Sequence, residues 1–256
     1  MNPHSSITDR TDTLFDIAKE AGRITMRYFN KGVTVDYKAD DSPVTQADIA
    51  SSRYIEQVLA ALTPTIPVVS EESDVKAVNA ETFWLVDPLD GTRAFVEGVP
   101  EFAVSIGLIQ DYQPVLGVLY VPPTGIGYMG GVGVPAVKID ANGARHTIQT
   151  RTPPAEHWTI IKSAKHASPK LQDFLQSYPV GHTIGMSSAI KFGLIAEGQA
   201  DIYPRLGKTM EWDTAAGQAI VEAAGGHMEA LDGKPFFYGK AGYLNPGFIV
   251  FGKKPV

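Results

Sequence analysis

The spacing of apolar residues near the start of the chain predicts two helices. Over residues 13–29 apolar and aromatic side chains recur every three or four positions, which is the period of an amphipathic helix: Leu14, Ile17, Ala18, Ala21, Ile24 and Tyr28. In "TQAD", Thr45 and Asp48 match a capping box, in which each side chain binds the backbone amide of the other residue. A second helix is therefore expected from Gln46 to about Ala61.

Strand-like patterns fill the rest of the first half. "VTVDYKADDSP" predicts a strand followed by a polar loop, and "IPVVS" and "FWLVD" are short apolar runs. "EFAVSIGLI" alternates in polarity and "PVLGVLYVP" follows it closely, which predicts an antiparallel pair. The glycines and prolines between residues 122 and 135 indicate turns between short strands.

The second half alternates helical and strand-like segments. Strands are expected in "HWTIIKS", "ADIYP" and "GFIVF", and helices in "SPKLQDFLQSY", "SSAIKFGLIAEG" and "WDTAAGQAIVEAAGG", with Asp213 at the start of the last. Such alternation favours an α/β unit. The break in "RTPP" suggests two lobes, an N-terminal α+β lobe over residues 1–148 and a C-terminal α/β lobe over residues 149–256.

Composition narrows the functional classes. With 256 residues, 44% of them hydrophobic, the chain can bury a sizeable core, and its net charge of −6 argues against non-specific nucleic-acid binding. The absence of cysteine excludes disulfides, zinc–thiolate sites and thiol nucleophiles, and the histidines lack the spacing of a zinc site. The polar start and the lack of a long apolar run predict a cytoplasmic protein without integral membrane segments.

Four carboxylates at the ends of predicted elements suggest a metal site. Glu71 follows "PVVS", Asp87 and Asp90 follow "FWLV", and Asp213 opens a helix. Two charges about 4 Å apart repel by about 4 kcal/mol at an effective dielectric constant near 20. A cluster of four would therefore need bound cations or raised pKa values, and Mg²⁺ prefers such oxygen ligands. Each acid alone also suits turn or capping chemistry, since "PLDG" is a common turn.

The residues after this motif suit a phosphate. Gly91 permits close approach of a ligand to the backbone, and Thr92 starts a short predicted helix, "TRAFVEG". Amides at helix starts bind phosphate. One loop would then hold metal on one side and phosphate on the other.

Taken together, these motifs resemble the lithium-sensitive, magnesium-dependent phosphatase superfamily of inositol monophosphatase. The resemblance rests on "WLVDPLDGT" with "SEE" upstream and "WDTAAGQAIVEAAGG" downstream, and it extends from about Leu14 to Val250. "DSPVTQAD", "SSAIKFGLIAEGQADIYPRLG" and "LNPGF" are similar to its bacterial 3'(2'),5'-bisphosphate nucleotidase branch. The resemblance implies a layered α/β/α/β/α sandwich and hydrolysis of the 3'-phosphate of 3'-phosphoadenosine 5'-phosphate, a step of nucleotide metabolism linked to sulfur assimilation.

The resemblance also implies roles for individual residues. The metal ligands for two or three Mg²⁺ ions would be Glu71, Asp87, the Leu89 carbonyl, Asp90 and Asp213. The residues that orient a metal-bound water would be Thr92, Glu71 and Asp48. The substrate contacts would be Gly91, Thr92, Ser187, Ser188, Lys191, Arg205 and His166. The partner would be a small phosphorylated nucleotide, and the protein a monomer or a homodimer.

Several alternatives stay open. The branch usually has lysine where this chain has Arg93, and "SRSH" where it has "KSAKH". Asp48 suits a cap as well as catalysis. Lys38 is near enough to the loop to touch the site, but it is expected to be solvated. His166 and Lys191 each also suit a structural role. The competing functions are an inositol- or sugar-monophosphatase of the same superfamily and a non-catalytic phosphate-binding regulator.

Overall fold

The computed structural model describes residues 7–32, 34–38, 41–73, 78–164 and 169–254, with side chains from residue 11 onward. The α-helices in this part of the chain are α1 Ile7–Met26, α2 Gln46–Leu62, α3 Thr92–Val96, α4 Pro169–Leu175, α5 Ile190–Ala196 and α6 Ala215–Ala223. The strands are β1 Val35–Tyr37, β2 Pro43–Thr45, β3 Val68–Ser70, β4 Thr82–Asp90, β5 Ala103–Gln110, β6 Gln113–Val121, β7 Ile126–Gly131, β8 Val134–Ile139, β9 Arg145–Thr147, β10 Trp158–Ser163, β11 Val180–Met186, β12 Ile202–Arg205, β13 His227–Ala230 and β14 Phe248–Phe251.

The first sheet has seven strands in the order β3-β4-β5-β6-β7-β8-β9. Only its first pair, β3 and β4, is parallel. The predicted antiparallel pair is confirmed as β5 and β6. Between them, Asp111 and Tyr112 have φ values of 51° and 61°. Positive φ at both central residues is typical of the tight hairpin turn whose twist matches that of the strands.

The second sheet has five strands in the order β11-β10-β12-β14-β13. Strand β10 is parallel to β11 and β12, whereas β14 is antiparallel to both of its neighbours. Each of the three strands predicted in the second half is therefore present. A separate two-stranded ribbon, β1 with β2, leads into α2.

The elements stack in five layers. Helices α1 and α2 cover one face of the first sheet, where Leu14 and Ile55 pack against Val86 and Ile106. Helices α5 and α6 fill the space between the two sheets, and their buried residues include Phe192. Aromatic residues at and just after α4 cover the outer face of the second sheet at Trp158. This α/β/α/β/α order confirms the predicted sandwich.

The boundary predicted near residue 148 separates the two sheets but not the core. Strand β9 ends at Thr147 and β10 begins at Trp158. Helix α6 nevertheless packs against β5 and β6 of the first sheet, and the largest buried cluster takes side chains from both halves. The division into lobes 1–148 and 149–256 stays a prediction.

Two predicted helices begin later than expected. Strand β11 ends at Met186 and α5 begins only at Ile190, so Ser187 and Ser188 lie in the connection before that helix. A separate 3-10 turn, Glu211–Asp213, carries Asp213, and α6 begins only at Ala215. No helix in the described part of the chain is both long and apolar enough to cross a bilayer.

Candidate active site

Three carboxylates from separate segments meet at one edge of the first sheet. Strand β3 runs parallel to β4 with Ser70 beside Val86, and the Glu71 amide donates to the Val86 carbonyl at 3.0 Å. Glu71, directly after β3, therefore lies beside Asp87. Strand β4 continues to Asp90, so Asp87 and Asp90 lie within the strand and not after it as predicted. One carboxylate oxygen from each of these residues and one from Asp213 all lie within 4.8 Å of one another. Three of the four acids predicted to converge therefore lie together.

The 3-10 turn fixes Asp213 from the second half of the chain. The Met210 amide donates to Asp213 Oδ2 at 2.8 Å, and the Asp213 amide donates back to the Met210 carbonyl at 3.2 Å. This reciprocal pair closes the turn and leaves Asp213 Oδ1 for another partner. Asp213 therefore caps its own turn rather than the start of a long helix, which corrects the predicted placement.

Asp90 stands beside this trio. Strand β4 is irregular between Asp87 and Asp90, so that Asp90 pairs with Ala103 of the next strand. Asp90 Oδ2 accepts a very short hydrogen bond from the Ala189 amide, which lies just before α5. The acid predicted as a fourth ligand thus also ties the first sheet to the segment in front of α5.

Burial and mutual repulsion disturb the ionisation of these acids. Burial raises the pKa of Asp87 well above its usual range, and repulsion from Glu71, Asp90 and Asp213 raises it further. Burial and the same kind of repulsion raise the pKa of Asp213. Burial also raises the pKa of Asp90, to about 6, although the nearby Lys191 opposes this shift. The protein alone leaves the negative charge of this cluster poorly compensated.

A second hydrogen-bonded group joins α2 to the turn after β4. The Leu89 amide donates to Asp87 Oδ1 at 3.0 Å, and the Leu89 carbonyl lies 3.1 Å from the Thr92 hydroxyl oxygen. The same hydroxyl is 2.9 Å from Asp48 Oδ1. The Thr92 hydroxyl thus lies between Asp48 and the Leu89 carbonyl.

The capping box holds Asp48 in place. Asp48 Oδ2 accepts hydrogen bonds from the Thr45 amide at 2.8 Å and the Thr45 hydroxyl at 2.6 Å. Burial raises the pKa of Asp48, while the hydrogen bonds from Thr45 and Thr92 oppose that shift. Asp48 thus caps α2 with one oxygen and faces the turn with the other, so its position suits both roles that the sequence left open.

Gly91 occupies a backbone position that excludes other residues. Its φ is 101°, and a Cβ atom here would lie 2.9 Å from the Glu101 carbonyl oxygen. Gly91 directly precedes α3, which begins at Thr92 as predicted. The binding of phosphate by the Gly91 and Thr92 amides stays a prediction.

Lys38 was expected to be solvated, and this expectation is wrong. Its ammonium group lies 2.7 Å from Glu71 Oε1 and 2.5 Å from Glu72 Oε1, and the side chain is 25% exposed. Burial by itself lowers the pKa of Lys38, but the attraction of the two glutamates outweighs it and leaves that pKa above its ordinary value. The contacts span 33 and 34 positions, so no local spacing in the sequence could indicate them.

A cavity of about 490 Å³ opens beside the acidic cluster. Its lining includes Asp90 and Asp213 on the acidic side, and the predicted substrate residues Gly91, Ser187, Ser188, Lys191 and Arg205. Thr92 lies next to Gly91 but turns its hydroxyl toward Asp48, and His166 lies outside the described residues. Sequence reasoning missed Lys208 and Ser163, which also line the cavity, and noted Arg93 only as a departure from the pattern.

The two predicted cationic contacts are already engaged with the protein. Lys191 is 6% exposed, and its ammonium donates to the Ser188 carbonyl and, at 3.3 Å, to the Met186 carbonyl. Burial lowers its pKa to about 8, against the attraction of Asp90. The Arg205 guanidinium donates to Ser163 Oγ at 2.5 Å. Both side chains therefore make hydrogen bonds within the cavity wall and also give it positive charge.

The chain matches known proteins over nearly its full length. Residues 7–248 match the model of the inositol monophosphatase family. The chain is 42% identical over 246 residues to the 3'(2'),5'-bisphosphate nucleotidase CysQ of Escherichia coli K12, an overlap of 93% of this chain and 98% of the relative. The Haemophilus influenzae protein of the same name is 32% identical over 242 residues, which cover 92% of this chain and 90% of that protein.

Solved structures agree with this relationship. CysQ from Bacteroides thetaiotaomicron, a bacterial member of the inositol monophosphatase family, superimposes with a TM-score of 0.84 at 33% identity, over 97% of this chain and 99% of that chain. The Thermotoga maritima IMPase superimposes with a TM-score of 0.81 at 23% identity, over 95% and 92% of the two chains, and shows the shared fold. The chain belongs to the inositol monophosphatase family.

Proposed function

We propose that the protein is a metal-dependent 3'(2'),5'-bisphosphate nucleotidase, which converts 3'-phosphoadenosine 5'-phosphate and water to AMP and inorganic phosphate. The observation that carries this proposal is the meeting of Glu71, Asp87 and Asp213 beside a cavity whose lining also includes lysine and arginine side chains. The 42% identity to a nucleotidase of this name supports the choice of substrate.

The acidic side of the site fits divalent cations. Its donors are the carboxylates of Glu71, Asp87, Asp90 and Asp213 and the Leu89 carbonyl, all of them hard oxygen ligands of the kind that Mg²⁺ prefers. Burial and, after it, repulsion from neighbouring acids raise the pKa values of the aspartates, and a bound cation would offset that repulsion. These residues would hold Mg²⁺, and we predict two or three ions per site. When bound, Mg²⁺ lowers the pKa of a coordinated water and stabilises charge on phosphate oxygens.

The chain's own residues place the attacking water. The Thr92 hydroxyl donates a hydrogen bond to Asp48 Oδ1. The lone pairs of the hydroxyl oxygen are then free to accept a hydrogen bond from water. Glu71 offers a second acceptor, and its contact with Lys38 restrains its position. Attack forms one phosphorus–oxygen bond and breaks the bond to the ribose 3'-oxygen. The attacking water gives up one proton, and the ribose oxygen takes up one and leaves as the free hydroxyl.

The cationic residues of the cavity lining suit a second phosphate. Arg93, Arg205 and Lys208 supply positive charge, and Ser187 and Ser188 supply hydroxyls for further hydrogen bonds. An inositol monophosphate has no second anionic group to place against these cations. The polarity of the cavity therefore favours a bisphosphate over a monophosphate.

A phosphate-release screen tests the proposal. We expect turnover of 3'-phosphoadenosine 5'-phosphate to exceed that of inositol 1-phosphate by at least about ten-fold in kcat/KM, to require Mg²⁺, and to fall when Li⁺ is added. A preference for inositol 1-phosphate would instead identify a monophosphatase. Absence of release from any phosphomonoester would indicate a phosphate-binding regulator.

The cytoplasmic location and the monomeric or homodimeric state stay predictions. A small phosphorylated nucleotide is the proposed partner of the cavity.

A further inference from the structure

The segment Met186–Lys191, which we call the cavity segment, forms the wall that carries Ser187 and Ser188. Ser188 has a φ of 57°, a left-handed conformation that residues other than glycine adopt rarely. Such a conformation persists where surrounding contacts hold it. The position of both hydroxyls therefore depends on what anchors this segment.

Three side chains anchor its backbone. Glu101 Oε2 accepts a hydrogen bond from the Ser187 amide at 2.9 Å, and Asp90 Oδ2 accepts one from the Ala189 amide. From the other side, Lys191 donates to the Ser188 carbonyl. The amides on both sides of Ser188, and the Ser188 carbonyl, are thus each hydrogen-bonded to a charged side chain. Such hydrogen bonds are stronger than those between neutral groups.

Glu101 is the anchor without a part in the proposed chemistry. It lies in the connection between α3 and β5, next to the fully buried Phe102. Its backbone also borders the turn after β4, since the Glu101 carbonyl faces Gly91 at close range. Glu101 therefore links the turn proposed to bind the reacting phosphate to the wall proposed to bind the rest of the substrate.

We propose that Glu101 is a positioning residue for nucleotide recognition: by holding the Ser187 amide, its carboxylate sets the Ser187 and Ser188 hydroxyls for the part of the substrate beyond the scissile phosphate. This inference rests on the proposed function. Glu101 touches neither the reacting atoms nor the acidic trio. Its loss lowers the fraction of molecules whose cavity segment is ready to bind, which weakens binding by the same factor.

Steady-state kinetics of two variants with two substrates test the proposal. The substrates are 3'-phosphoadenosine 5'-phosphate and p-nitrophenyl phosphate, which has no nucleotide part. In Glu101→Ala, we expect KM for the bisphosphate to rise at least about five-fold with kcat within about two-fold, and both parameters for p-nitrophenyl phosphate to stay within about two-fold. In Glu101→Gln, whose amide oxygen can accept the same hydrogen bond, KM returns to within about two-fold of wild type. Glu156→Ala, which removes an exposed carboxylate elsewhere, is the matched control.

The outcomes separate this inference from the proposed function. A wild-type enzyme inactive on the bisphosphate contradicts both. If the wild type turns over the bisphosphate and Glu101→Ala has an unchanged KM for it, only the positioning role is contradicted. An equal loss of kcat with both substrates, or a Glu101→Gln variant as impaired as Glu101→Ala, also contradicts it, because the effect would then come from the fold or from charge. Melting temperatures of all variants identify a loss of folding directly.

Discussion

At the scale of single residues, the site depends on where charge is left uncompensated. Carboxylates that accept hydrogen bonds from backbone amides have part of their charge compensated, as Asp213 has from Met210. The trio of Glu71, Asp87 and Asp213 still concentrates charge in one small region. Removing one of its members should therefore disturb metal binding more than folding.

Asp213→Asn tests this at the acid that comes from the second half of the chain. The asparagine oxygen can still accept from the Met210 amide, so the turn should stay folded. Loss of the negative ligand should lower Mg²⁺-dependent kcat/KM at least about 100-fold. Phosphate release and a melting curve provide the measurements, with the exposed Asp232→Asn as control. Turnover close to that of the wild type would show that Asp213 is not a ligand.

Substitutions at Thr92 likewise test an effect on catalysis separately from an effect on folding. Thr92→Val keeps the shape of the side chain but removes the group that lies between Asp48 and the Leu89 carbonyl. We expect kcat to fall about 100-fold, because the attacking water loses the hydroxyl that orients it, and Thr92→Ser to recover most of it. Equal kcat values for the wild type and the valine variant would remove Thr92 from the mechanism.

At the scale of elements, the site depends on how closely α6 approaches the first sheet. A Cβ atom on Gly117 of β6 would lie 2.2 Å from the Ala216 carbonyl, so this glycine allows the helix to lie directly on the strand. The start of α6 follows the turn with Asp213. How closely α6 lies on the sheet therefore sets the distance from Asp213 to the other two acids of the trio, Glu71 and Asp87.

Gly117→Ala should push α6 away from the sheet. We expect a loss of about 1–3 kcal/mol in the free energy of unfolding, the usual effect of overpacking, together with weaker Mg²⁺ activation. Denaturant unfolding and Mg²⁺ titration of activity measure the two effects. Gly185→Ala is the matched control, since its Cβ would meet its nearest neighbour at an ordinary 3.5 Å. Equal stability of the two variants would contradict this packing argument.

Local patterns predicted most elements but not the contacts between distant ones. The capping box at Thr45 and the β5–β6 pair are set by neighbouring residues, so the sequence could indicate them. The ends of the predicted elements indicated the four acids, and resemblance to the family supplied the sandwich and the role of each residue. The late start of α6, the Lys38 contact with Glu71 and the Glu101 contact with Ser187 depend on how remote segments pack, which periodicity does not encode.

At the scale of the whole molecule, the acidic cluster joins the two halves at a cost in stability. Burial raises the pKa of Asp90 from 3.8 to about 6 in the folded protein. The folded state therefore binds more protons than the unfolded state between these values, and this group makes stability fall as pH rises through that window. Asp87 and Asp213 act in the same direction.

Bound metal should reverse this loss, because Mg²⁺ binds the deprotonated carboxylates. We expect saturating Mg²⁺ to raise the melting temperature by about 3 °C or more at about pH 7.5, and by much less at about pH 4.5. Thermal unfolding with Mg²⁺ or with EDTA at both pH values measures the difference, and Asp213→Asn should show little effect at either. A Mg²⁺ shift of equal size at both pH values would contradict the assignment of these acids to the metal.

The most direct test of the account is the anomalous scattering of a crystal grown with Mn²⁺, used in place of Mg²⁺, and inorganic phosphate. The account predicts an anomalous peak within about 2.5 Å of carboxylate oxygens from Glu71, Asp87 and Asp213, with the phosphate on its open side. A crystal of active enzyme with ordered Mn²⁺ elsewhere, and none between these three side chains, would contradict it.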